Sequence, residues 1–162
     1  MLYLIDTNII IRFLVGDHAE HLALSSTIFE RVEKCEIEVH ILESVVMEAF
    51  FVLTKFYKLP KEEVINDLKR ILSLEGVIND DKLILFETLS IIENKNIDFV
   101  DALLCAKQRL QGMEILSFFN KRVENNDFLS TCIAKEASSY SLGTFCSNFE
   151  KSITECISVR FP

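Results

Sequence analysis

The sequence predicts an α/β fold in three layers, with a short central parallel sheet flanked by helices. Three observations lead there. Short, uniformly apolar segments alternate with longer segments whose apolar residues recur at helical spacing. No Asn-Gly or Asp-Gly pair marks a tight hairpin between the apolar segments, so successive strands need crossovers and run parallel. The composition is that of a packed globular chain, 49% apolar with 13 Phe, 4 Gly and 2 Pro. At 162 residues the chain suits one domain that folds without disulfides or a structural metal.

Residues 2 to 5 are apolar throughout, as expected of a strand buried on both faces, and Asp6-Thr7-Asn8 ends it in a turn. Thr7 or Asn8 is the expected cap of a short helix that runs through Leu14 and stops near Gly16. A second helix over residues 19 to 35 carries Leu22, Ile28 and Val32 on one side, and residues 37 to 41 return the chain to the sheet. Residues 42 to 57 place Val46, Ala49, Phe50, Leu53 and Phe56 at three-four spacing, with Glu43 in the first turn. Pro60 suits the start of the next helix, whose Val64, Leu68, Ile71 and Leu72 turn inward before Gly76 ends it.

Val77-Ile78 reads as a brief strand, and residues 81 to 93 as a helix. A further helix covers 98 to 111, with Phe99, Leu103, Ala106 and Leu110 inward and Gly112 at its end. Residues 113 to 118 read as the last strand. From about 124 onward the periodicity gives way to Ser, Thr, Asn and Cys, so the expected division is a domain over 1–123 and a tail over 124–162.

A formal net charge of −8 counts against a general nucleic-acid binder, whose affinity rests on Lys and Arg displacing counterions. It leaves open an enzyme whose acids hold cations, because the cation then meets the phosphate. Five cysteines, an odd number with no C-x-x-C pair, indicate neither a disulfide framework nor a zinc ribbon. The chain shows no basic, apolar leader and no uncharged membrane-length stretch, so a reduced, cytoplasmic setting is expected.

Asp6 ends the first strand, Glu43 opens the helix after the second, and Asp98 with Asp101 opens the helix before the last. Strand C-termini and the helix starts that follow them line one edge of a parallel sheet, so these distant acids are expected to converge. Each acid taken alone is explained by helix capping and the helix dipole. Together they repel, at a cost in stability unless a cation binds, and hard carboxylate oxygens suit Mg²⁺ or Mn²⁺. A phosphoacceptor receiver domain also places acids at strand ends, but requires paired acids where Thr7 and Asn8 stand.

The stretches Leu4-Ile5-Asp6-Thr7-Asn8-Ile9-Ile10-Ile11-Arg12, Ile41-Leu42-Glu43-Ser44, Asp98-Phe99-Val100-Asp101-Ala102-Leu103 and Ile115-Leu116-Ser117-Phe118 resemble, in order and spacing, the PIN-domain family and within it the VapC-type toxins. The resemblance covers about residues 1 to 123. It implies a Mg²⁺- or Mn²⁺-dependent endoribonuclease, usually a homodimer, restrained by a cognate antitoxin. Asp6, Glu43 and Asp101 fall on family acidic ligands, Asp98 on an auxiliary acid, and Thr7, Asn8, Ser117 and Asn120 on polar groups around them. The family's fourth acid usually follows the Ser/Thr-Phe pair of the last strand, where this chain has Phe119 and then Asn120. That departure keeps a second reading in view, a catalytically silent PIN-like module that binds RNA or protein.

Around this site Arg12, Lys55, Lys58, Lys107, Arg109, Lys121 and Arg122 are candidates for a basic rim that steers RNA, against the ordinary reading of helix charges as a solvated face. Core packing accounts for Phe50 and Phe56, which leaves Phe51 and Tyr57 for a dimer or antitoxin groove. His18, Glu20 and His21 read as surface residues, and Cys105 as a small core residue.

Overall fold

The computed structural model describes residues 1–115, and Met1–Ile115 forms one compact unit. Residues 113–115, expected to begin the last strand, are in no strand; the rest of that expected strand with Ser117, the expected domain boundary, Phe119, Asn120, Lys121, Arg122 and the tail lie outside the described residues.

Strands β1 (Leu2–Leu4) and β2 (Glu38–His40) pair in parallel, with Leu2 opposite Glu38, Tyr3 opposite Val39 and Leu4 opposite His40. On the other side of β2, Val39 bridges to Val77. The Val39 N–H donates to the Gly76 carbonyl at 2.8 Å, and the Ile78 N–H donates to the Val39 carbonyl at 2.8 Å. The brief strand expected at Val77-Ile78 is therefore a single rung. The chain is α/β with a small parallel sheet, and most of its described mass is helical.

Burial is concentrated at β2 rather than β1. Val39 and Ile41 are fully buried, whereas Leu2, Tyr3 and Leu4 are exposed. The expectation of a first strand covered on both faces is corrected: among the described residues β2 lies along one edge of β1, and Ile5, one step beyond the strand, is what reaches the core.

Helix α1 (Thr7–Val15) packs on α2 (Ala19–Glu33), and α3 (Glu43–Phe51) follows β2. The residue at the start of α1 is Asp6, in extended conformation, rather than Thr7 or Asn8. Gly16 ends α1, and Gly112 the helix over Phe99–Gln111, in the left-handed region, at φ 66 and 67. Helix α4 (Lys61–Ser73) ends before Gly76, whose place has another cause. A Cβ there would stand 2.3 Å from the Val32 carbonyl oxygen and 2.8 Å from that of Ile37, so only glycine admits the crossing of these segments.

Residues 42–57 are not one regular helix. After α3 the chain widens into a π-helical turn, Val52–Phe56, in which the Tyr57 N–H bonds to the Val52 carbonyl at 3.1 Å. A π turn takes more residues per revolution than an α turn, so side chains beyond it fall out of the three-four stripe. Leu53 remains buried, but Phe56 is 76% exposed, which corrects its assignment to the core. Phe51 and Tyr57, expected to be left outward, are each half-buried.

Helices α5 (Lys82–Asn94) and α6 (Phe99–Gln111) pack closely through the small residues Ala102, Cys105 and Ala106 of α6. The buried stripe of α6 runs through these positions, so Leu103 is half-buried and Leu110 exposed, against the expected inward set. Cys105 is the core residue expected, and Cys35 and Cys105 are free thiols. His18, Glu20 and His21 are exposed, the two imidazoles stacked at 4.2 Å. Among the described residues no helix is long and apolar enough to cross a membrane.

Candidate active site

The parallel register sends both strands out of the sheet at the same edge. Leu4 lies opposite His40, and the Ile5 N–H donates to the His40 carbonyl at 3.2 Å. Two residues past Leu4 the chain reaches Asp6, at the start of α1. Three residues past His40 it reaches Glu43, the first residue of α3.

The turn from β2 into α3 is held by a side chain that mimics a strand. Asn79, buried, accepts the Ile41 N–H at 3.1 Å and donates through Nδ2 to the Ile41 carbonyl at 2.7 Å, with a second Nδ2 contact to Asp81 at 3.0 Å. One amide thus satisfies both peptide groups of the residue two before Glu43. Asn79→Ala is expected to cost about 2 kcal/mol, because it leaves a buried donor and acceptor unpaired. Urea denaturation measures this, and an unchanged midpoint would show that water replaces the amide.

Asp6 is exposed and makes no capping bond to its own helix; its Oδ2 accepts the Asn8 amide at 3.1 Å. Thr7, buried, donates its hydroxyl to Glu48 Oε2 at 2.7 Å, which ties the first turn of α1 to α3. Nothing in the sequence singles out Glu48, since an acid in mid-helix looks like any solvated charge. Asp98 stands at the start of α6, exposed, and Asp101 lies in its first turn, half-buried.

Glu43 is not free. Its Oε1 lies 2.9 Å from the Lys107 ammonium, in a pair about three-quarters shielded at Glu43. The rings of Phe50 on α3 and Phe99 on α6 sit 5.9 Å apart. Both contacts join α3 to α6, and Lys107 is the α6 side chain paired with Glu43. Asp6, Asp98 and Asp101, by contrast, have no ion-pair partner among the described residues. There, no group of three acid, histidine or cysteine side chains is placed as a metal site. The donor set still fits a hard divalent cation in its chemistry, three unneutralised carboxylates with Glu43 held in reserve by a lysine.

The expected basic rim is largely spoken for. Arg12 Nη1 binds both Asp17 oxygens, at 2.6 and 2.7 Å, and the Tyr57 hydroxyl donates to Asp17 at 2.9 Å. The Arg12 hydrogen bond, then that of Tyr57, holds the Asp17 carboxyl below its ordinary value, and the same bond to Asp17 pushes the Tyr57 phenol up. Arg109 pairs with Glu87, and Lys107 with Glu43. Lys55 and Lys58 remain without an ion-pair partner among the described residues.

In comparison with known proteins, the family model described as the PIN domain matches residues 3–129. No curated protein matches the chain. No solved structure matches it.

Proposed function

The chain belongs to the PIN-domain family, whose members are generally nucleases, and from that premise we propose that it is a Mg²⁺- or Mn²⁺-dependent endoribonuclease in the three-layer form of that fold. The observation that carries the reading is the set Asp6, Asp98 and Asp101, carboxylates at helix starts with no ion-pair partner among the described residues. On this proposal the three acids come together around the cation, which offsets the repulsion that like charges otherwise cost.

In this reading Asp6, Asp101 and Glu43 hold the cation, with Asp98 beside them. A divalent cation bound there supplies charge neutralisation at the scissile phosphate and lowers the pKa of water. The chain's own groups prepare for it. The Asn8 amide fixes the Asp6 carboxylate, and the Thr7–Glu48 bond keeps the first turn of α1 against α3. Lys107 holds Glu43 in one place, and were Glu43 to ligate a cation the Lys107 ammonium would be released and able to meet a phosphate. Ser117 and Asn120 are proposed as polar groups of the same site. Water attacks the scissile phosphorus and the bond to the ribose oxygen breaks, the water's proton passing to solvent and the leaving oxygen taking one up, with no covalent enzyme intermediate.

We assign the chain, by the same reading, to the toxin side of a type II toxin–antitoxin pair in the cytoplasm, with a cognate antitoxin and a second copy of itself as partners. Exposed Val100 and Leu104, one turn apart on α6, with Leu83 on α5, supply apolar surface of the kind such partners cover. The second reading, a silent PIN-like binding module, draws on the Lys107 clamp of Glu43 and on Phe119 where an acid is usual. Incubating the chain with RNA in millimolar Mn²⁺ and in EDTA separates the two. The nuclease reading expects cut products only with the cation; intact RNA in both, from protein of native melting behaviour, would leave the binding module.

A further inference from the structure

We propose that the end of the π turn is a platform for the unstacked bases of single-stranded RNA, with Phe56 as the stacking ring and Lys55 and Lys58 as its phosphate contacts. The proposal rests on the ribonuclease reading for its choice of RNA, and on the surface itself for the rest. Phe56 is 76% exposed, and the π turn is what turns it out of the core stripe. Its ring is braced edge-on by Tyr57, the centroids 5.1 Å apart and the planes 79° to one another, which leaves the ring held while still exposed.

Charge selects the occupant. In a chain of net charge −8, the lysines on either side of this aromatic pair are exposed and have no ion-pair partner among the described residues. The nearby Arg12 and Asp17 cancel one another, with Tyr57 bonded to Asp17, so the local surplus is positive. An exposed apolar ring with an exposed lysine one residue before it and another two residues after it matches a ligand that alternates flat bases with phosphates at a short repeat. An apolar protein anchor would take the ring but has no use for both lysines.

The backbone adds a third observation. Lys58 sits at φ 56, in the left-handed region, where a helix end usually places glycine. Folding alone favours glycine there, as at Cys35 with φ 55, and on this proposal Lys58 holds the position for its charge.

The test uses the full-length chain and fluorescence anisotropy of a labelled oligouridine in EDTA, so that binding is read without cleavage. Phe56→Ala is expected to weaken binding about 5- to 150-fold, the loss of one stacked base. Phe56→Tyr is expected to bind like the parent and Phe56→Leu like Phe56→Ala. Lys55→Gln with Lys58→Gln is expected to flatten the slope of log K against log salt by about 1.4, the change for two phosphates of a single strand. Lys58→Gly is expected to raise the melting temperature and yet weaken binding. The same strand annealed to oligoadenine is expected to bind less well, its bases being paired.

Equal binding by Phe56→Leu and the parent, or an unchanged salt slope, would overturn the platform. So would a Phe56→Ala chain that binds RNA normally but changes its mass by light scattering, which would place the ring in a protein interface. Cleavage in Mn²⁺ is scored separately: a chain that binds through Phe56 but never cuts would sink the ribonuclease reading and keep the platform.

Discussion

Asp101→Asn and Asp6→Asn are each expected to reduce cation-dependent RNA cleavage by at least about a hundredfold, more than the loss of a group that merely supports a metal ligand. The melting temperature is expected to stay level or rise. Both effects follow from the same charge. Asn keeps the shape and size of Asp but replaces an anionic oxygen donor with a neutral one, which a hard cation binds weakly. Asp6 makes no capping bond to α1, and Asn is as good as Asp at a helix start, so the helix loses nothing there. At Asp101 the favourable term with the α6 dipole, about 0.3–1 kcal/mol, is lost while repulsion among the acids is relieved. A parallel thermal scan in millimolar Mn²⁺ should show stabilisation of the parent chain that both variants lack. Parent-like cleavage by Asp101→Asn would remove it from the site.

Gly76→Ala is expected to be the most destabilising single-methyl change in the described unit. The added Cβ meets two backbone oxygens, those of Val32 and Ile37, at 2.3 and 2.8 Å, and neither is the end of a side chain that can swing away. Relief requires the end of α2, the approach to β2 or the rung at Val77 to move, and each is anchored to the others. The Val39 N–H bonds to the Gly76 carbonyl itself, and Val32, Val39 and Val77 are fully buried. We expect a loss of about 3 kcal/mol or more, at the upper end of overpacking costs. For a chain of this size that corresponds to a fall of roughly 10 °C in melting temperature, measurable by calorimetry or circular dichroism. A fall of only a degree or two would mean that the segments separate easily.

The helices were legible because an apolar stripe at helical period needs only the residues of one segment. Helices α1, α2, α4, α5 and α6 lie where that period places them. Asp6 could be placed because a strand's end and a helix's start are both local signals. The same reasoning went wrong at Phe56, since nothing in the spacing of Val46, Ala49, Phe50 and Leu53 announces a widened turn. A π turn trades one hydrogen-bond pattern for another of similar local cost, and packing decides between them. It went wrong at Leu2, Tyr3 and Leu4 as well, because an apolar strand shows its appetite for burial and not which neighbours cover it.

The candidate site divides in the same way. Asp6, Glu43, Asp98 and Asp101 announce themselves by residue type and by position at the ends of elements. Asn79, Glu48 and the Lys107 partner of Glu43 do not. Asn79 reaches a residue 38 positions away and Thr7 reaches one 41 away, and such distances leave no trace in local pattern.

The order of elements, the parallel sense of the strands, the family and the acids at helix starts were determined by the sequence alone, because periodicity, turn chemistry and motif spacing act over a few residues. The tertiary structure alone decided that Gly76 is a crossing point, that Asn79 shapes the entry to α3, that Lys107 neutralises Glu43 and that Phe56 faces outward. Each of these depends on which surfaces meet when remote segments pack, and packing is a property of the whole chain.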